Sequence, residues 1–185
     1  MINFETFFKN HFDTDEVIDM RMKTFTESHL QRITSNNPGG IYTTRITATT
    51  TAYTAYFGAM SNEDVKFALQ QAMSITMNNA LKDFVKTVQQ KEGIVKGTWG
   101  KTSAQYQEFF PLGLSEYDNA SPGNAELLMN RMVAASTAHV ADLGAPFVTL
   151  FTDLRTAFTD ARTAQLAIIG EVSGLRTSTE TNRND

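Results

Sequence analysis

The chain has 185 residues, 41% of them apolar, with 16 basic and 20 acidic side chains, a formal net charge of −4 and no cysteine. The missing cysteines exclude disulfide scaffolds, thiol chemistry, zinc–thiolate sites and iron–sulfur clusters, and the charge balance shows none of the basic excess that marks a duplex-binding surface. Four prolines and this apolar content argue against wholesale disorder, and a single domain of this size buries about 70% of its unfolded surface without staples.

The start, Met1-Ile2-Asn3-Phe4-Glu5, has no basic leader region, and Lys9, Asn10 and His11 interrupt any apolar run. No stretch of eighteen apolar residues is present to span a bilayer. The cytoplasm is the default compartment, with secretion left open for a chain whose leader has been removed. A first helix is expected from Asp13–Asp15, with Ile18, Met22, Phe25, His29 and Ile33 on one face. Asn36-Asn37-Pro38-Gly39-Gly40 should end it.

Threonine, with 25 copies, is a poor helix former, and Tyr42, Thr44, Ile46 and Ala48 alternate as a strand would. The helical reading covers more of the segment, since Tyr42, Ile46, Thr49, Tyr53, Phe57 and Met60 recur at steps of three and four. Ser61-Asn62-Glu63-Asp64 reads as a new N-cap. Val65, Leu69, Met73, Met77, Ala80, Phe84 and Val88 then line a helix reaching Gln90. Gly93, Gly97 and Gly100 punctuate the next stretch, and a short helix runs from Thr102 to Phe110.

Residues from Pro111 to Gly123 read as a loop folded back on the bundle. Ser121 as N-cap and Pro122 at the first helical position open a helix facing inward with Leu128, Met132, Ala135, His139 and Leu143. Gly144-Ala145-Pro146 ends or kinks it. Phe147, Phe151, Leu154, Phe158, Ala161, Gln165, Ile168, Val172 and Leu175 then form an unbroken heptad seam. A polar tail, frayed from about Thr177, follows, and a strong helix this close to the end is compatible with a fragment of a longer protein. The fold class expected is all-α: an antiparallel bundle of about five main helices and one short helix, in one domain.

Chemistry is harder to find. His29 and His139 lie on apolar faces but lack the Glu-x-x-His spacing of carboxylate-bridged metal bundles, and no His-Glu-x-x-His, Gly-x-Ser-x-Gly or phosphate-loop pattern occurs. The expectation is therefore no metal, no cofactor and no catalytic set. Lys82, Lys86, Lys91 and Lys96, mixed with Asp83 and Glu92, read as a solvated face, so no nucleic-acid partner is expected. The one suggestive group is Trp99, Tyr106, Phe109, Phe110, Leu112, Leu114 and Tyr117, as an interface or pocket wall, or else as a cap sealing the bundle. A non-catalytic structural or protein–protein interaction domain is the reading, as a homodimer or with another protein. A small-molecule or lipid-binding bundle, marked by a cavity near Met73, Met77 and Met132, is the alternative, and an enzyme comes third.

Overall fold

The structure is a computed structural model that describes residues 19–184, with side chains described to residue 181. Of the described residues 87% are helical, none is in a strand, and there are seven α-helices, four of them long. They are α1 (Asp19–Ser35), α2 (Thr43–Trp99), α3 (Ala104–Phe109), α4 (Ser115–Asp118), α5 (Ala125–Ala138), α6 (Val140–Leu143) and α7 (Ala145–Asn184), with a 3-10 turn at Pro38–Gly40. The expected start of the first helix at Asp13–Asp15, and His11 with it, fall outside the described residues.

Threonine is accommodated because its hydroxyl turns back onto its own helix. Those of Thr47, Thr50, Thr51, Thr87, Thr152 and Thr156 each donate to the carbonyl four residues earlier, at 2.7–3.0 Å. The group that would compete with the helix is thereby spent inside it. Residues 43–52, where a strand reading competed, are helical.

Several boundaries differ from those expected. Ser61-Asn62-Glu63-Asp64 is helix interior, and α2 continues unbroken past Gly93 and Gly97. A new cap would expose four N–H and four C=O groups, whereas polar residues inside a helix cost only tenths of a kcal/mol and glycine about 1. The two helices expected between residues 41 and 90 are therefore one, and α2 stops only where Gly100 takes a φ of 83°. The Pro111–Gly123 loop contains α4. Ser121 does not cap α5: its N–H and hydroxyl both donate to Asn124 Oδ1, forming a turn that delays the helix to Ala125. Gly144, with φ 82°, separates α6 from α7, and α7 extends through the polar tail to Asn184.

The chain divides into two compact units, Met1–Val65 with Gly174–Asp185, and Lys66–Ser173. In the first, α1 and the start of α2 form an antiparallel hairpin. Gly39 and Gly40, at φ 62° and 74°, make its turn, and Asn37 Oδ1 accepts from the Tyr42 N–H at 2.8 Å. Tyr53 donates to Glu27 and Tyr56 donates to Asp19 at 2.6 Å. Met22 and Ile33 are half-buried on the inner face of α1 as expected, but between them Thr26 and Leu30 face inward while Phe25 and His29 are exposed.

In the second unit α2 and α7 pair antiparallel. Phe84 meets Phe151 at a ring distance of 6.3 Å, Ser74 meets Gln165 at 2.9 Å, and Lys66 meets Glu171 at 2.6 Å. Met77, Leu81, Phe84, Val88 and Val95 of α2 are buried against Phe147, Phe151 and Phe158 of α7, with Leu128, Met129 and Met132 of α5 completing the core. The α7 seam is as expected: Phe151, Phe158, Gln165 and Val172, seven residues apart, are all buried. Gln165 is bonded at both ends of its amide, accepting from Arg162 Nη1 and donating to Ser74 Oγ.

Replacing Phe151 or Phe158 by Ala is expected to cost about 3–5 kcal/mol in urea melts, because each ring is buried and leaves a cavity. Gln165→Leu is expected to destabilise by about 1–2 kcal/mol, since two hydrogen bonds are lost. A gain in stability for that variant contradicts the bonded amide.

Candidate functional site

Six of the seven aromatic-segment residues singled out from sequence are packed into the Lys66–Ser173 unit, and one is not. Tyr106, Phe109, Phe110 and Tyr117 are buried, Trp99 and Leu114 are half-buried against the same core, and Leu112 is 73% exposed. The local geometry follows from one capping residue. Ser103 Oγ accepts from the Tyr106 N–H at 3.0 Å and donates to the Gly100 carbonyl at 2.8 Å, which starts α3 immediately after α2 stops. Tyr106, Phe109 and Phe110 are then turned inward.

Each buried phenol finds a partner, as burial demands. Tyr106 donates to Glu92 Oε1 at 2.8 Å, and Tyr117 donates to the Phe109 carbonyl at 2.6 Å. The rings form a continuous series. Trp99 stacks on Phe109 at 6.1 Å, Phe110 contacts Tyr106 at 4.9 Å and Tyr117 at 5.6 Å, and Tyr117 reaches Phe84 at 6.0 Å. Burial favours the role of cap over that of interface for these side chains. Leu112 alone of the group leaves most of its surface exposed.

The site's polar edge was not legible in the sequence. His139 lies at the break between α5 and α6, its backbone N–H bonded to the Ala135 carbonyl at 3.1 Å. Its ring sits edge-on to Trp99 at 4.9 Å, and its Nε2 is 2.8 Å from Glu108 Oε2. The imidazole thus ties the end of α2 and the α3 helix to the α5–α6 break. Glu108 and His139 are 31 residues apart and share no motif spacing, so no sequence signal joins them. Arg131 and Glu116 of the same unit form a part-buried ion pair, and that carboxylate favours the charged guanidinium.

A carboxylate–imidazole pair can hold and move a proton. Here Trp99 and Phe109 flank the His139 ring, which stays partly exposed, and Glu108 is half exposed. His29 stands elsewhere, exposed and stacked on Phe25 at 6.0 Å. Among the described residues no group of three or more His, Asp or Glu side chains is placed to hold a metal ion, and no helix is long and apolar enough to cross a membrane. No protein-family model, curated protein or solved structure matches the chain.

Burial, reinforced by the bond to Glu92, pushes the Tyr106 phenol up to about 12, and burial does the same for Tyr117, partly opposed by Arg131. The sign follows from linkage: unfolded tyrosines ionise near 10, so from about pH 10 to 12 the unfolded state loses protons that the folded state keeps, and stability falls. Tyr106 and Tyr117 should therefore titrate late when phenolate absorbance is followed in the native protein, and the bond to Glu27 raises Tyr53 as well. Tyr106→Phe should remove one of the late groups. Uniform titration near pH 10 without unfolding contradicts the burial of both.

Proposed function

We propose that the chain is one non-catalytic helical interaction module that associates with a second copy of itself through the α2/α7 pair. The carrying observation is the exposed apolar surface where the core thins. The buried cluster ends at Met77 on α2, and on α7 it reaches only Phe158 and the half-buried Ala161. Beyond that point Ile75 on α2 and Leu166 and Ile169 on α7 are 38–61% exposed. Exposed apolar patches of this kind mark interaction surfaces.

The spacing supports a bundle partner. On α2, Gln70, Ser74, Met77 and Leu81 follow the seam toward α7, while Leu69, Met73, Thr76 and Ala80 run along one side of it and Gln71 and Ile75 along the other. On α7, Arg162, Leu166, Ile169 and Ser173 run beside the buried Gln165 and Val172. A helix with two stripes is built for two neighbours, as in four-helix bundles. An antiparallel pair supplies half of such a bundle, and a two-fold axis supplies the rest from an identical pair.

Sedimentation velocity from low to high micromolar concentration tests the proposal. The wild type should shift toward a dimer, and Leu166→Glu with Ile75→Glu should remain monomeric with an unchanged circular dichroism spectrum. A wild type that stays monomeric over the whole range, or a dimer indifferent to both substitutions, overturns it.

A further inference from the structure

A groove of about 450 Å³ in the Lys66–Ser173 unit lies between α2 and the connection from α4 to α5. Its apolar lining is Leu81, Val85, Ala120 and Pro122, and Lys82 and Lys86 also line it. We propose that this groove binds a small amphipathic phosphate monoester, with the dianionic head between Lys82 and Lys86 and the apolar chain along Leu81, Val85, Ala120 and Pro122.

Three observations converge on this ligand. First, Lys82 and Lys86 are one helical turn apart, so their stems leave the same face with Cβ atoms about 5–6 Å apart. Both are exposed, and among the described residues no carboxylate pairs with either of them. Two ammonium groups at that spacing suit a head group that carries two charges and several acceptor oxygens better than a single carboxylate. Second, Asp118, the one carboxylate lining the groove, already accepts from Gln89 Nε2 at 2.6 Å. That bond anchors one end of the groove and partly offsets the carboxylate's repulsion of an anion. Third, Ser121 and Pro122 stand just ahead of the fourteen-residue α5, whose N-terminal end adds positive potential to the same wall.

The apolar lining sets the other half of the selectivity. Leu81 is buried, and Val85 and Ala120 are half-buried, so the surface a chain would lie on is held by the core. A groove of 450 Å³ lies within the usual range for small-molecule sites. Inorganic phosphate would meet only the lysines, and an uncharged alcohol only the lining.

The test is a titration of the full-length, isotopically labelled protein with octyl phosphate below its micelle concentration, read by amide chemical shifts. Inorganic phosphate and octanol serve as separate arms. Saturable shifts confined to residues 78–89 and 118–122 are expected, with octyl phosphate binding about tenfold or more tighter than either arm, as charge and apolar contact combine. Lys82→Gln and Lys86→Gln should each weaken binding about tenfold, and because both side chains are exposed the fold should not change. The proposal is overturned by non-saturable shifts, by shifts centred elsewhere, by inorganic phosphate binding as tightly as octyl phosphate, or by a double lysine variant that binds like the wild type.

Discussion

Phe84 of α2 and Phe151 of α7 meet edge to face at 6.3 Å, and the rest of the Lys66–Ser173 unit is arranged on that contact. Tyr117 packs on Phe84 from α4, and Phe147 packs on Phe151 at 5.0 Å from the first turns of α7. Without the two long helices held side by side, the short pieces α3, α4 and α6 would have nothing to fold against. Helices of four to six residues are unstable alone. Their positions are set by burial: the phenol of Tyr117 reaches the Phe109 carbonyl only because both side chains are already inside.

The helical period was the legible part of this fold. Phe151, Phe158, Gln165 and Val172 stand in one seam whatever the neighbouring residues are, because a seven-residue spacing returns to one face of a helix. Boundaries were less legible, for a physical reason. Ser61-Asn62-Glu63-Asp64 has the composition of a cap, but a cap forms only where the chain gains by turning, and nothing there forces a turn. Gly93 and Gly97 look like punctuation, yet the buried Val95 between them and Trp99 beyond hold the helix through both. Only Gly100, which adopts a left-handed φ, breaks it.

The aromatic segment shows a second limit. Its residue types were visible, but whether such side chains face a partner or a core depends on the path of the chain between them. Ser103 sets that path by starting α3 at once, which buries Tyr106, Phe109 and Phe110 and leaves Leu112, just beyond Pro111, outside. The Glu108–His139 pair was invisible for a related reason: its members come from different helices and meet only after α5 has packed on α3. Lys82 and Lys86 could be seen to share a helix face. The apolar lining beside them could not, because Ala120 and Pro122 are brought there by the turn that Ser121 and Asn124 close.

Where the aromatic core thins, the seam changes character. Past Met77 and Ala161 a chain of polar groups takes over: Arg162 donates to Gln165, Gln165 donates to Ser74 at 2.9 Å, and Ser74 donates to the Gln70 carbonyl at 2.9 Å. An apolar seam of small and flexible residues could slide by a turn with little penalty. A buried amide cannot, because every other register leaves its donor or acceptor without a partner. Gln165 thus fixes α7 against α2 at the point where packing alone specifies least. That fixed register in turn keeps Ile75, Leu166 and Ile169 at defined positions on the outside of the pair, as the proposed contact with a second copy requires. The polar residue that looks out of place in the heptad pattern is therefore the one that makes the exposed apolar face usable.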